Sequence, residues 1–418
     1  MKQHSRSIGP NIVFVLGLIS FSTVLTHQRV VARVQEFDRF ADWCENRASL
    51  TSDARHTVEV LLEKADSSNC QMAEEELSNL TELNLAGNQI EDVSPLSTLT
   101  HLNGLNLAGN QIEDVSPLST LTNLNWLNLA SNQIEDVFSL DISPLSTLTN
   151  LNWLNLMSNQ IEDVSPLSTL TNLNWLNLAL NQISDVSPLS TLTNLNGLNL
   201  ALNQISDISP LSALTHLTEL FVHVNQISDL SPLSTLTHLT SLNLGGNQIS
   251  DVFSLSSLND LDWLILGGNQ VEDISSLSTL THLTSLNLES NKIEDISSLY
   301  SLETLTSLNM GSNQIENISP LSNLNNLTSL DLRSNQIEDI SPLSNLRNLT
   351  SLNLGSNQII DVSPLSTLTN LTDISLYINQ ITDISSLSTL TNLTELNMTD
   401  NPLIERTCPV EPRSSCNF

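Results

Sequence analysis

The chain has 418 residues, with 13 Lys+Arg against 45 Asp+Glu, a formal charge of −32 and only 4% aromatic residues. So acidic a chain has no basic footprint, which excludes nucleic acid and an anionic membrane surface as partners. Length alone would suggest two or three domains, but an internal repeat overrides that prior.

Residues 1–32 read as an export signal. Lys2 and Arg6 precede an apolar run at 12–25, which is shorter than the ~20 residues a spanning helix needs and suits a signal h-region. Val30-Val31-Ala32 then offers a cleavage site after Ala32. An uncleaved N-terminal anchor is the alternative. No cysteine follows the run to carry a lipid, and no second long apolar stretch appears, so the mature protein is expected not to insert into a membrane.

Residues 33–79 are expected to form a helical N-terminal cap. The stretch 51–65 places Val58, Leu61, Leu62 and Ala65 at helical spacing behind a Thr-Ser-Asp start, and a second helical segment, QMAEEEL, follows Cys70. Cys44 and Cys70 precede the repeats, and Cys408 and Cys416 follow them. Of the connectivities that four cysteines allow, one local pair at each end is favoured. The spacings C-x25-C and C-x7-C match no common zinc site. Disulfides persist in oxidising compartments, so the expected location is secreted, periplasmic or cell surface.

From Leu80 the chain counts out LTELNLAGNQIEDVSPLSTLTH and restarts at Leu102 and Leu124. After a longer third unit of 27 residues it restarts at Leu151, then every 22 residues to Leu393. The extra five residues, at 136–140, follow the strand and should leave its register unchanged. Positions 1, 4, 6, 11, 14, 17 and 20 of each unit are almost always Leu, Ile or Val, and positions 3 to 7 alternate as a strand with one buried face does. Position 9 is Asn in every unit, from Asn88 to Asn401, where a buried amide can tie neighbouring coils together. Ser-Pro at positions 15 and 16 predicts a short 3-10 or single helical turn, capped by the Ser hydroxyl with the Pro ring at its start. Stacked units share one core and need closures at both ends. The Pro-rich tail, residues 404–418, supplies the second as a short capping loop.

The pattern L-x-x-L-x-L-x-x-N-x-I over residues 80–403 is that of a leucine-rich repeat, about fifteen units in all. It predicts an α/β solenoid: a curved, right-handed horseshoe with a parallel concave sheet and short convex turns. The full unit, LxxLxLxxNQIxDISPLSxLTNL, resembles the repeat of the bacterial internalin family, helical N-terminal cap included. That resemblance implies a surface or secreted protein that binds other proteins through its concave face. No wall-sorting motif, wall-binding module or immunoglobulin-like domain follows the repeats, so wall anchoring and host entry are not implied.

Four of the five tryptophans, Trp126, Trp153, Trp175 and Trp263, occupy position 3 of their units, which faces the concave surface. Strands lie about 4.8 Å apart, so the first three should form an aromatic ridge. Phe221 and His223 at positions 5 and 7 of the seventh unit extend it toward Trp263 and Ile265. Clustered exposed aromatics mark binding hot spots, and the Asn residues of position 5 add polar neighbours. Duplication could have copied one Trp twice, but Trp263 sits in the dissimilar unit LDWLIL. The acidic pairs at positions 12 and 13 read as a solvated rim, and His101, His216, His238 and His282 at position 22 as turn residues. Asn-x-Thr matches such as Asn348-Leu349-Thr350 arise from the repeat itself.

No catalytic motif, cofactor signature or metal site is present, so the protein is expected not to be an enzyme. The leading reading is a monomeric exported module that presents Trp126, Trp153, Trp175, Phe221, His223 and Trp263 to a protein or glycan. The alternatives are an envelope or surface-coat spacer without a specific ligand, and an intracellular scaffold of the phosphatase-regulator type that oxidised cysteines would exclude.

Overall fold

The computed structural model describes residues 37–135, 141–410 and 416–418. The export signal and the extra residues of the third unit lie outside them. The described residues belong to one compact unit, Phe37–Phe418. Fifteen three-residue strands, numbered β1 (Glu82–Asn84) to β15 (Glu395–Asn397) in chain order, line up as one parallel sheet in sequential order. Each pairs with the next at matching repeat positions, as in Leu127↔Leu154 and Leu176↔Leu198.

The apolar positions account for this stacking. In the fifth unit Leu173, Leu176, Leu178, Ile183, Val186, Leu189 and Leu192 are all buried, each burial stabilising by roughly 1.5–3 kcal/mol before entropy. The Asn of position 9 satisfies the backbone between coils. Asn181 Nδ2 donates to the carbonyls of Leu178 and, one coil back, Leu156 at 3.0 and 3.1 Å, while its Oδ1 accepts from Ile161 N–H at 3.1 Å. The return path is a five-residue 3-10 turn, as at Ser187–Thr191. The expected Ser cap is corrected: Ser187 is itself the first residue of the turn, and the cap position falls to Val186, which has no side-chain acceptor. Instead the Asp of position 13 accepts the backbone N–H of position 15, as Asp185 does from Ser187 at 2.8 Å. Those backbone and hydroxyl bonds pull Asp207, Asp273 and Asp383 below the usual carboxylate value.

Position 8 turns the chain off the strand with φ between 54° and 71° in units one to thirteen. Gly fits there, whereas an L side chain in the left-handed region costs roughly 1–2 kcal/mol. Most units place Gly or Ser here, but Leu180, Leu202, Val224 and Ile378 occupy it as well.

Both ends are closed. The cap contains α1 (Phe40–Glu45), α2 (Ser52–Lys64) and α3 (Cys70–Ser78). Thr51 caps α2 through a bond from Ala54 N–H, and Asn69 caps α3. Phe40, Trp43, Val58, Leu61 and Leu77 join the core of the repeats, and buried Thr57 donates to the carbonyl of Asp92 at 2.6 Å. The disulfides are Cys44–Cys70 and Cys408–Cys416. The tail does more than form a loop: Cys416–Asn417 is a sixteenth strand, β16, added parallel to β15. It gives the last edge a partner for Met398 N–H, at 2.7 Å to Asn417 O.

Candidate functional site on the concave sheet

Trp126, Trp153 and Trp175 open β3 (Trp126–Asn128), β4 (Trp153–Asn155) and β5 (Trp175–Asn177) and are direct partners in register. They are half-buried. The outer two rings lean away from Trp153 onto glycines in the same column. A Cβ on Gly104 of β2 (Gly104–Asn106) would lie 2.0 Å from Trp126 Nε1, and one on Gly197 of β6 (Gly197–Asn199) only 1.9 Å from Trp175 Cε3. The block therefore covers β2 to β6, about 19 Å at ~4.8 Å per strand.

Beyond it, Phe221 of β7 (Glu219–Phe221) meets Trp263 of β9 (Trp263–Ile265) edge to face, with centroids 6.3 Å apart, across β8 (Ser241–Asn243). Ile265 leans over Gly245, its Cγ2 3.2 Å from where a Cβ would stand. His223 is half-buried, its Nδ1 enclosed without a partner, and burial lowers its pKa from the ordinary value of 6.5. The structure thus brings Phe221 and Trp263 together and keeps the three-Trp block as a neighbouring group. The Asn residues of position 5 are half-committed: Asn155 and Asn199 use Oδ1 to accept Met157 N–H and Ala201 N–H at 3.0 and 3.1 Å.

The other half of the sheet carries a charged network absent from the expected site. Arg333 pairs with Asp331 at 2.7 Å and reaches back two coils to Glu289. Glu289 also accepts from Asn309 at 3.0 Å, and Asp331 from Asn353 at 3.2 Å. Gly311 lies on the path: its Cβ would come 3.0 Å from Arg333 Cγ. Burial works to lower the Arg333 pKa, but Asp331 and Glu289 outweigh it and hold it raised. Arg333 is a rare cation in an acidic chain, facing carboxylates two columns and two units away, and that was the signal available in the sequence.

Two of the four histidines of position 22 act as their Asn counterparts do, whereas His101 Nε2 bonds Leu77 O at 3.0 Å and His238 Nδ1 lies 3.7 Å from Asp260. His216 Nδ1 bonds Thr193 O at 2.9 Å and His282 Nδ1 bonds Asn259 O at 2.8 Å, as Asn194 bonds Thr171 O at 2.8 Å.

This architecture is a leucine-rich repeat solenoid, and the family description "Leucine Rich repeats (2 copies)" matches residues 78–120, 215–260, 259–301, 303–345, 347–388 and 369–411, together over half of the chain. Within that class, the chain belongs to the internalin-like family. It is 36% identical to an internalin (InlF) from Listeria monocytogenes over 87% of this chain and 98% of that one, with a TM-score of 0.68. A functional domain of InlJ from the same organism is 26% identical, with a TM-score of 0.72 over 87% of this chain and 76% of that one. A leucine-rich repeat protein of Leptospira interrogans, at 24% identity, shares the fold, with a TM-score of 0.71 over 79% and 92% of the two chains. No curated protein matches.

Proposed function

We propose that this is an exported, non-enzymatic binding module that recognises a protein ligand through its concave sheet. The observation that carries the reading is the aromatic surface: three in-register tryptophans, the outer two spread over Gly104 and Gly197, continued by Phe221, Trp263 and Ile265. Broad, half-exposed indoles supply contact area at low entropic cost and are the residues most enriched at hot spots. The Nδ2 donors of Asn155 and Asn199 beside them, whose bonds among the described residues use Oδ1, suit a ligand backbone. Two disulfides support export, and no helix among the described residues is long and apolar enough to cross a membrane. The 32-residue leader and the four-part domain division belong to this proposal.

The spacer reading has one observation in its favour: Trp126 and Trp175 lie flat on neighbouring strands and so brace the sheet. Affinity capture from envelope and culture extracts, with the wild type beside a Trp126→Ala/Trp153→Ala/Trp175→Ala variant, separates the two. Circular dichroism first checks that both are folded. A partner held by the wild type and lost by the variant supports recognition at the ridge. Identical retention by both, or none by either, leaves the tryptophans as braces.

A further inference from the structure

Leu180, Leu202 and Val224 occupy position 8 of three consecutive coils and are 40%, 39% and 48% exposed. Their backbone N–H groups donate to Ala201 O, His223 O and Gly245 O of the next coil at 2.8–2.9 Å, so the side chains stand in a row at the strand-end turns. All three hold φ between 55° and 58°, where Gly or Ser serves most other coils. The sequence thus accepts backbone strain to place apolar groups in water, which neither the core nor the ladder requires.

An independent feature coincides with this row. Position 12, a little further along the same turn, is Glu in units one to four and again in nine to twelve, but Ser184, Ser206, Ser228 and Ser250 in between. Ile378, the remaining bulky apolar residue at position 8, is likewise followed by Thr382 instead of an acid. Every coil with an apolar side chain at position 8 therefore lacks the position-12 carboxylate and keeps only the Asp of position 13. The result is an apolar window of reduced negative charge in an acidic flank: of the rim pair only the position-13 carboxylates remain, Asp185, Asp207 and Asp229 among them, each accepting the N–H of the following turn, and Glu162 and Glu272 bound it. Those two lie five coils apart, about 24 Å at ~4.8 Å per strand, the reach of roughly seven extended residues.

We propose that the Leu180–Leu202–Val224 row is a docking strip for a protein segment that is apolar at its centre and basic at its ends. The apolar centre covers the row and the Ser residues beside it, and the basic ends meet the carboxylates where the acidic column resumes. A chain with a net charge of −32 presents the wrong border for a second copy of itself. The strip rests on the proposed binding role but lies at the strand ends, apart from the Trp126–Trp175 block.

The test measures anisotropy of labelled peptides of about seven to nine residues on the disulfide-bonded chain: a Leu/Val centre with Lys ends, the same centre with Glu ends, and a Ser centre with Lys ends. The first should bind, and the other two at least about tenfold more weakly. Leu180→Gly/Leu202→Gly/Val224→Gly should lose the first peptide by about tenfold or more while its Tm stays level or rises, since Gly relieves the turn. Ser184→Glu/Ser206→Glu/Ser228→Glu should lose it too, and the triple Trp variant should keep it. The strip is overturned if no peptide binds the wild type, if Glu and Lys ends bind alike, or if the Gly variant binds unchanged or melts lower. A wild-type dimer in sedimentation that the Gly variant abolishes would place a second copy there and overturn the basic partner. Loss of captured partners by the Trp variant alone leaves the concave reading standing without the strip.

Discussion

From β2 to β9 the concave sheet carries the aromatic side chains, set among the Asn residues of position 5. From β10 (Ser285–Asn287) to β14 (Asp373–Ser375) the same column is mostly Ser, and the face is dominated by Arg333 and its two carboxylates. The backbone beneath is the same in both halves, with three-residue strands in register, an Asn at position 9 and a five-residue turn behind. Both halves also use one device for a side chain too large for its own strand: a glycine in a neighbouring coil. Trp126 and Trp175 lie over Gly104 and Gly197, Arg333 passes Gly311, and a Cβ on Gly355 would fall 2.1 Å from the ring of Tyr377. The repeat therefore fixes where a surface side chain starts, while the neighbouring coil decides how far it can spread.

The largest effect is expected where the halves are alike. Asn247→Ala would leave the carbonyls of Val222 and Leu244 and the N–H of Ile227 unpaired inside the coil. At about 1–3 kcal/mol for a buried unsatisfied group, with partial relaxation, the cost should reach roughly 3 kcal/mol. Asn335→Ala in the polar half removes the equivalent bonds to Met310, Leu332 and Ile315. Urea denaturation should give the two variants similar losses. A clear inequality between them would break the claim that one backbone underlies both faces.

Next come the glycines. Gly197→Val forces the Trp175 ring off β6, and overpacking of this kind costs about 1–3 kcal/mol. Indole emission should shift to the red as the ring moves into water. Gly311→Val should cost less and leave fluorescence unchanged, because the displaced group is a flexible Arg stem. Removing the pair itself, with Glu289→Gln, should cost about 1 kcal/mol at low salt and less at high salt, since Glu289 and Arg333 are each about one-third exposed. A larger loss that salt does not reduce would assign Glu289 a packing role.

Fold and site were unequally legible in the sequence. Leu, Ile and Val recurring at seven fixed positions dictate burial, and the invariant Asn column dictates the ladder, because each recurs in every coil. What occurs once could not be read that way. The splay of Trp126 and Trp175 depends on Gly104 and Gly197, which stood in the same column but specify a ring direction only when the strands are paired. The Glu289–Arg333 bridge joins residues 44 apart through a gap that exists only above Gly311. Ser-Pro suggests a Ser cap because it opens helices, yet Ser187 is the first residue of its turn and its own N–H is taken by Asp185, a charged and therefore stronger acceptor. α1 leaves no mark in the sequence, because its six residues are too few to show a period.

The smallest predicted effect sharpens the comparison at the border of the two faces. His223 is the only titratable side chain of position 7 in the aromatic half, and burial holds its pKa below 6.5. A group whose proton affinity is lower folded than unfolded adds stability above the unfolded pKa and loses it as pH falls through the folded one. Stability should therefore decline slightly between pH 7 and 5, and His223→Gln should flatten that decline. Arg333, held charged by its partners, contributes no slope in this window, so Glu289→Gln should leave the decline unchanged. If His223→Gln also leaves it unchanged, the imidazole is already hydrated, and the enclosure of its Nδ1 is looser than the structure places it.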